Sequence, residues 1–398
     1  MSALLQQAEE LHRRILVFDG HLDIPTGFGG EAAPADRDGP GQFDLVKAAR
    51  GGLGGACLAV HAPLARGTAE GAASGRKAQE ARHGAILRMA QAFPDRVAIA
   101  YSPEELREIR ATGRLAIVIG FQNAAPLEGE LSAIRGWVDR GVRMFGFCFI
   151  GNNAFADSAR PYPFAGDHNN GGLSPLGRCA VDLLNDLGVI IDVSQLSSEA
   201  LADVLDQSKA PVVASHSGAR GLIDKRRNLT DAEIQAIAAE GGLVNIVGFG
   251  PYLVASTEIE RDRLRQLWEA YELEGCRTMD DAIFHPDTAR WPDERFGAFM
   301  HEFHEIIDLA QPKASVSHLV DAIDHAVRLV GIDHVGISSD FNHGGGIADW
   351  KNAGETHKVT AELLRRGYGE TEIAKLWGEN FLRTWTEVRK AASAQAPA

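Results

Sequence analysis

Apolar residues fall along this chain in short, nearly unbroken runs, each closed by a polar or glycine-rich turn. The runs are Ile15–Phe18, Gly55–Val60, Leu115–Gly120, Met144–Phe149, Val189–Val193, Pro211–Ser215, Gly242–Val247 and His334–Ser339. Runs of this kind, with little polar alternation, suit strands buried on both faces of a parallel sheet. The segments between them carry helix starts. Ser102-Pro103-Glu104-Glu105 places a Ser N-cap before a Pro at the first helical position, and Ser197–Leu201 and Thr230–Glu233 also look capped. Eight strand–helix units predict an α/β fold, a (β/α)8 TIM-type barrel, in preference to an open sheet. A doubly wound sheet is the alternative, but no GxGxxG follows any strand, so dinucleotide binding has little support.

The pattern predicts one domain over residues 1–398, with two excursions. Gly27–Gln42 reads as a loop after the first strand. Tyr252–Val316 is a long, partly helical insertion before the last strand, with helices over Glu258–Leu273 and Asp293–Leu309, and it reads as a lid or an assembly surface. Ala391–Ala398 reads as a frayed, disordered tail.

Polar residues gather just past the strands, where a barrel keeps its chemistry. These are His21 and Asp23 after strand one, Gln122 and Asn123 after strand three, and Asn152 and Asn153 after strand four. Ser194 and Gln195 follow strand five, His216 and Ser217 strand six, and Asp340, Asn342 and His343 strand eight. If the first strand continues past Gly20, His21 and Asp23 point the same way. Two imidazoles and two carboxylates suffice for one divalent ion, which activates water and polarises a carbonyl. Each residue also has a plainer reading: His21 and Asp23 close a turn, His216 belongs to a helix N-cap, and Asp340 caps a loop.

Composition narrows the classes. A chain of 398 residues is long enough for a large core, and a net charge of −14 argues against a nucleic-acid surface. Cys57, Cys148, Cys179 and Cys276 have no CxxC spacing, so they read as buried free thiols in a reducing compartment. Met1–Arg14 is an amphipathic helix without the apolar core of a signal peptide, and no run reaches the length of a membrane span. The expectation is a cytoplasmic protein with no membrane partner.

The motifs, taken in order, resemble the membrane (renal-type) dipeptidases, peptidase family M19 of the amidohydrolase superfamily. The likeness runs from about Ile15 to Arg383 through Asp19-Gly20-His21-Leu22-Asp23, Gly172-Leu173-Ser174-Pro175-Leu176-Gly177, Ala214-Ser215-His216-Ser217, Arg227-Asn228, Ser338-Ser339-Asp340-Phe341 and Gly378-Glu379-Asn380-Phe381. The resemblance implies a two-zinc barrel that hydrolyses dipeptides or related small amides with a bridging hydroxide, and it suggests a homodimer. It makes His21 and Asp23 ligands of the first metal and His216 a ligand of the second. Asp340 becomes the ligand that also transfers protons, and Arg227 the binder of the substrate carboxylate.

Three departures alter that expectation. The family's bridging Glu falls at Gln122, its second-metal His at Gln195, and its substrate-binding His at Phe149. A neutral amide bridges two dications poorly. The expectation is therefore one divalent ion, zinc, rather than two, held by His21, Asp23 and Asp340 with His216 nearby and with Gln122 and Gln195 as weakened positions. Asn152 and His168 are candidates for substrate binding, and Glu128, Glu130 and His343 are the other groups that could replace lost ligands. The competing expectations are a catalytically degenerate barrel that binds a small ligand or partner without hydrolysis, and a different reaction, lyase or isomerase, in a remodelled pocket.

Overall fold

The computed structural model describes the chain except residues 1, 163–167, 277–280, 283–284, 311–313 and 396–398. Its strands are β1 (Phe18–Asp23), β2 (Gly55–His61), β3 (Val97–Ile99), β4 (Leu115–Gln122), β5 (Val142–Gly146), β6 (Ile190–Asp192), β7 (Val213–Ser217), β8 (Leu243–Val247) and β9 (Val335–Ser338). Eight of them run parallel in the order β1-β2-β4-β5-β6-β7-β8-β9, and β3 pairs with the start of β4 outside that path. Asp340 N donates to His21 O and Asp23 N donates to Phe341 O, both at 2.9 Å, which brings the last strand back to the first. The molecule is the expected (β/α)8 barrel.

Strand alternation divides the core. In β4, Ile117, Ile119 and Phe121 pack outward under the helices, whereas Ala116 and Val118 belong to a separate cluster with Cys57, Phe18, Met144, Ile190, Val213 and Leu243 inside the barrel. The same parity carries Gln122, His61 and Asp192 onto the inner face. The interior is thus apolar at one end and polar at the other. The apolar end is closed by the helix Asn380–Gln395, whose Phe381 stacks on Phe18 with ring centroids 4.2 Å apart and whose Trp385 is fully buried. This docking corrects the expected frayed tail. Ala391–Gln395 continues the helix, because the stripe Phe381, Leu382, Trp385 and Val388 anchors it; residues 396–398 lie outside the described part.

The expected helix starts hold. Ser102 Oγ accepts from Glu105 N, Ser197 Oγ from Ala200 N, and Thr230 forms a capping box with Glu233. The insertion carries helices Glu258–Ala270 and Asp293–Ala310, and the described part of it packs Leu264, Trp268, Trp291 and Phe299 against Tyr162, Leu64 and Ile150. Leu64 and Ile150 follow β2 and β5, so the described part of the insertion packs at the polar end of the barrel. Among the described residues no helix is long and apolar enough to cross a membrane. All four cysteines are free, but only Cys57 and Cys148 are buried. Cys179 is exposed and Cys276 half-buried, a correction to the expected buried set: Cys179 faces outward from the helix Pro175–Asp186.

Candidate metal centre

His21 and Asp23 lie within β1 rather than past it. A register shift between Asp19 and Leu22 interrupts the pairing with β2, and both side chains are buried. Gly20 is required there: a Cβ would sit 2.1 Å from Asn245 Nδ2 and 3.2 Å from Ile337 O. His216 likewise sits inside β7, at a second register shift between Ala214 and Ser217. Asp340 follows β9 with φ 55°, a left-handed conformation unusual for an aspartate.

These four residues converge. One ligand atom each from His21, His216 and Asp340 lie within 4.8 Å of one another, and so do atoms of Asp23, Asp340 and His343. His21 Nε2 is 3.9 Å from Asp340 Oδ1, the His21 and His216 rings stack at 3.9 Å, and His343 Nδ1 is 2.8 Å from Asp23 Oδ2. His21 Nε2, Asp23 Oδ1, Asp340 Oδ1 and Gln122 Oε1 are all buried without a hydrogen-bond partner. Buried polar groups are nearly always partnered. Four such atoms from two strands, β1 and β4, and the loop after β9 fit a divalent cation with mixed nitrogen and oxygen ligands.

Ser215 and Asp192 fix the imidazoles from behind. Ser215 Oγ donates to Asp192 Oδ2 at 2.5 Å, so it must accept from the two Nδ1 atoms beside it, His216 at 2.7 Å and His21 at 3.4 Å. Both rings then carry their proton on Nδ1 and present a bare Nε2 to the interior, as metal-ligating histidines do. The Nε2 of His216 is not open, however. The side-chain amides of Gln122 and Gln195 both approach it at 3.3 Å. Gln195 is oriented by Arg160, which donates to its Oε1 at 3.0 Å and lies over Phe149. The two glutamines occupy with hydrogen bonds the place where a second cation would meet His216.

Electrostatics separate the two carboxylates. Burial pushes the Asp340 carboxyl up to about 8, only partly opposed by His343. Burial acts on Asp23 in the same sense, but His343, His61 and His21 outweigh it and hold Asp23 well below the usual carboxylate range. Burial lowers the pKa of His21 and, more strongly, of His61 and His216, whereas Asp23 raises that of His343 in spite of burial. Carboxyls driven apart in this way take different roles in proton transfer.

The remaining candidates divide. Arg227 is buried beside the cluster; its Nη1 donates to Ser217 Oγ at 3.0 Å and its Nη2 to His216 O at 2.8 Å. A cavity of about 530 Å³ opens between Gln195, Arg227 and Asn152. Asn152 lines it, but its Oδ1 accepts from Ser158 N and its Nδ2 donates to His168 O. His168 itself is exposed and meets Asn152 through its carbonyl rather than its ring. Glu128 pairs with Arg76 at the surface and Glu130 precedes the helix Leu131–Asp139, so neither joins the cluster. Residues passed over in the sequence complete it: His61 at the end of β2, 4.3 Å from the His343 ring, together with Asp192, Ser215 and Arg160. His61 was legible as the residue closing Leu58-Ala59-Val60; Asp192 and Ser215 stand in the motifs but were given no role there, and Arg160 had no signal of its own.

Comparison with known proteins agrees with the fold and with the family resemblance. The model of the membrane dipeptidase family, peptidase family M19, matches residues 5–397. The structure of the probable dipeptidase PvdM from Pseudomonas aeruginosa is 48% identical, covers 98% of this chain and 99% of its own, and superposes with a TM-score of 0.94. Dipeptidase tcpJ of Claviceps purpurea is 27% identical over 78% of this chain, and dipeptidase ataJ of Aspergillus terreus 26% over 98%. The match spans 60% of tcpJ and 53% of rat dipeptidase 3, little more than half the length of these curated relatives, and 88% of ataJ. A metallopeptidase from Rhodobacter sphaeroides, solved with a phosphinate mimic of the dipeptide L-Ala-D-Ala, shares the fold at 21% identity and a TM-score of 0.71. The chain belongs to the membrane dipeptidase family, peptidase family M19.

Proposed function

We propose that this protein is a metal-dependent hydrolase of dipeptides or related small amides that works with one divalent cation, zinc, instead of two. The observation that carries the reading is the set of unpartnered buried atoms, His21 Nε2, Asp23 Oδ1, Asp340 Oδ1 and Gln122 Oε1. His21, Asp23 and Asp340 would hold the ion, with Gln122 offering a neutral oxygen. The bound ion would supply an activated water and a Lewis acid for the scissile carbonyl.

The chain's own residues do the rest. Asp340, whose carboxyl burial holds up to about 8 in the cation-free site, would once ionised accept the proton of the attacking water and return it to the leaving amine. Asp23, held ionised by its histidine neighbours, would present a negative charge to the cation. Arg227 has spent one N–H of each terminal nitrogen on the barrel and keeps the others for a substrate carboxylate. The cavity beside it, about 530 Å³, lies within the usual small-molecule range of ~300–1,000 Å³.

A second reading, a barrel that binds such a ligand without turnover, draws on the glutamine pair that closes off His216 Nε2. One experiment separates the two. The protein is incubated with zinc or manganese and a panel of L,L, L,D and N-acyl dipeptides. Hydrolysis that Asp340→Asn abolishes supports the enzyme; saturable binding of the same compounds without product supports the binder.

A further inference from the structure

We propose that His343 is a ligand of the cation, completing a site whose donors come from the first strand and from the loop after the last. The inference rests on the one-cation reading above and extends it to a residue outside the family motifs. Its first support is position. His343 Nδ1 stands 2.8 Å from Asp23 Oδ2, and one donor atom each from Asp23, Asp340 and His343 fall within 4.8 Å of one another. Bonds of ~2.0–2.2 Å to a divalent ion draw such a group together by small side-chain rotations.

The second support is the loop that carries the ring. Asp340 and Asn342 both take left-handed backbone angles, φ 55° and 62°. Such residues persist only where their surroundings hold them, and they gather at functional sites. Here the hold is explicit. Asn342 Nδ2 donates to Asp23 O at 2.8 Å, Asn342 Oδ1 accepts from Gln42 N at 2.9 Å, and Gln42 Oε1 accepts from Asn342 N at 2.7 Å. Gly345 N donates to Asp340 O, and a Cβ on Gly345 would lie 2.0 Å from Ser339 O, so the turn admits no larger residue. The turn places His343 three residues beyond Asp340 and aims its ring back at the same carboxylate cluster.

The third support is that neighbouring rings flank the imidazole and limit it to small adjustments. It packs against His61 at 4.3 Å and Phe149 at 5.1 Å between centroids. With Gln122 a neutral amide, an imidazole at this point supplies a donor that the β4 side of the site lacks.

The test counts imidazoles on the ion directly. Wild-type protein, His343→Ala and His343→Gln are each loaded with one equivalent of zinc and examined by X-ray absorption, and zinc affinity is measured by chelator competition. The expected result is one imidazole fewer in both variants and an affinity reduced by about 10- to 100-fold or more. An unchanged imidazole count in variants that retain the ion overturns the role of His343, whatever the affinity change, and leaves the one-cation reading standing. Wild-type protein that takes up no stoichiometric ion overturns that reading and this inference together.

Discussion

Lowering the pH from 8 to 6 tests the electrostatics of the site without any mutation. Asp340 must lose its proton to ligate a cation, and burial holds its carboxyl up to about 8. Asp23 is already ionised across this range, because its histidine neighbours hold it low. At least one proton therefore competes with the ion below pH 8, and the affinity falls by up to about tenfold per pH unit, about 50-fold between pH 8 and pH 6. His343, raised by Asp23, steepens the fall wherever it too is protonated. The assay is chelator competition for zinc across this range, with proton release measured calorimetrically in buffers of different ionisation enthalpy. Asp340→Asn should lower the slope by one proton. The sign for stability is opposite in the cation-free chain. A carboxyl raised from 3.8 to about 8 stabilises the fold fully below its unfolded pKa and loses that contribution as pH rises through its folded one. Zinc should thus raise Tm more at pH 8 than at pH 6. A zinc affinity that stays flat from pH 6 to pH 8, or an equal slope in Asp340→Asn, would refute the reasoning.

Three further changes probe separate links. Restoring Gln122→Glu together with Gln195→His removes both amides from His216 Nε2 and should raise the metal content from one ion per chain to two by elemental analysis; unchanged content would mean that the pocket, not these ligands, excludes the second ion. Ser215→Ala releases the Nδ1 protons of His21 and His216 and should weaken zinc binding about 10- to 100-fold with unchanged circular dichroism. Gly20→Ala drives a methyl against Asn245 and should cost about 1–3 kcal/mol in denaturant unfolding, and full stability would show that β1 can shift there.

The barrel was legible in the sequence because a parallel sheet buried on both faces leaves contiguous apolar runs. The one strand outside it, Val97–Ile99, was not, since three residues carry no pattern. His21, Asp23, His216 and Asp340 stood out as polar residues at the ends of such runs. Their exact place did not, because the register shifts at Asp19/Leu22 and Ala214/Ser217 carry the strands past the polar residues. Asp192 and Ser215 were hidden inside runs read as apolar. The contact from Arg160 to Gln195 joins loops 35 residues apart and has no local signature. The tail was misread because its short, Ala-rich end says nothing of the docking surface that the apolar stripe before it finds under the barrel.

The closure of the barrel has a consequence for biosynthesis. Asp19 Oδ1 accepts from Ser339 N, a partner 320 residues further along. A nascent chain halted before residue 335 has His21 and Asp23 but neither Asp340 nor the strand that seats them. The full donor set therefore cannot assemble before Asp340 is made, and until β9 is in place the sheet keeps an unsealed edge. Truncated chains ending before β9 should aggregate, and added zinc should not rescue them.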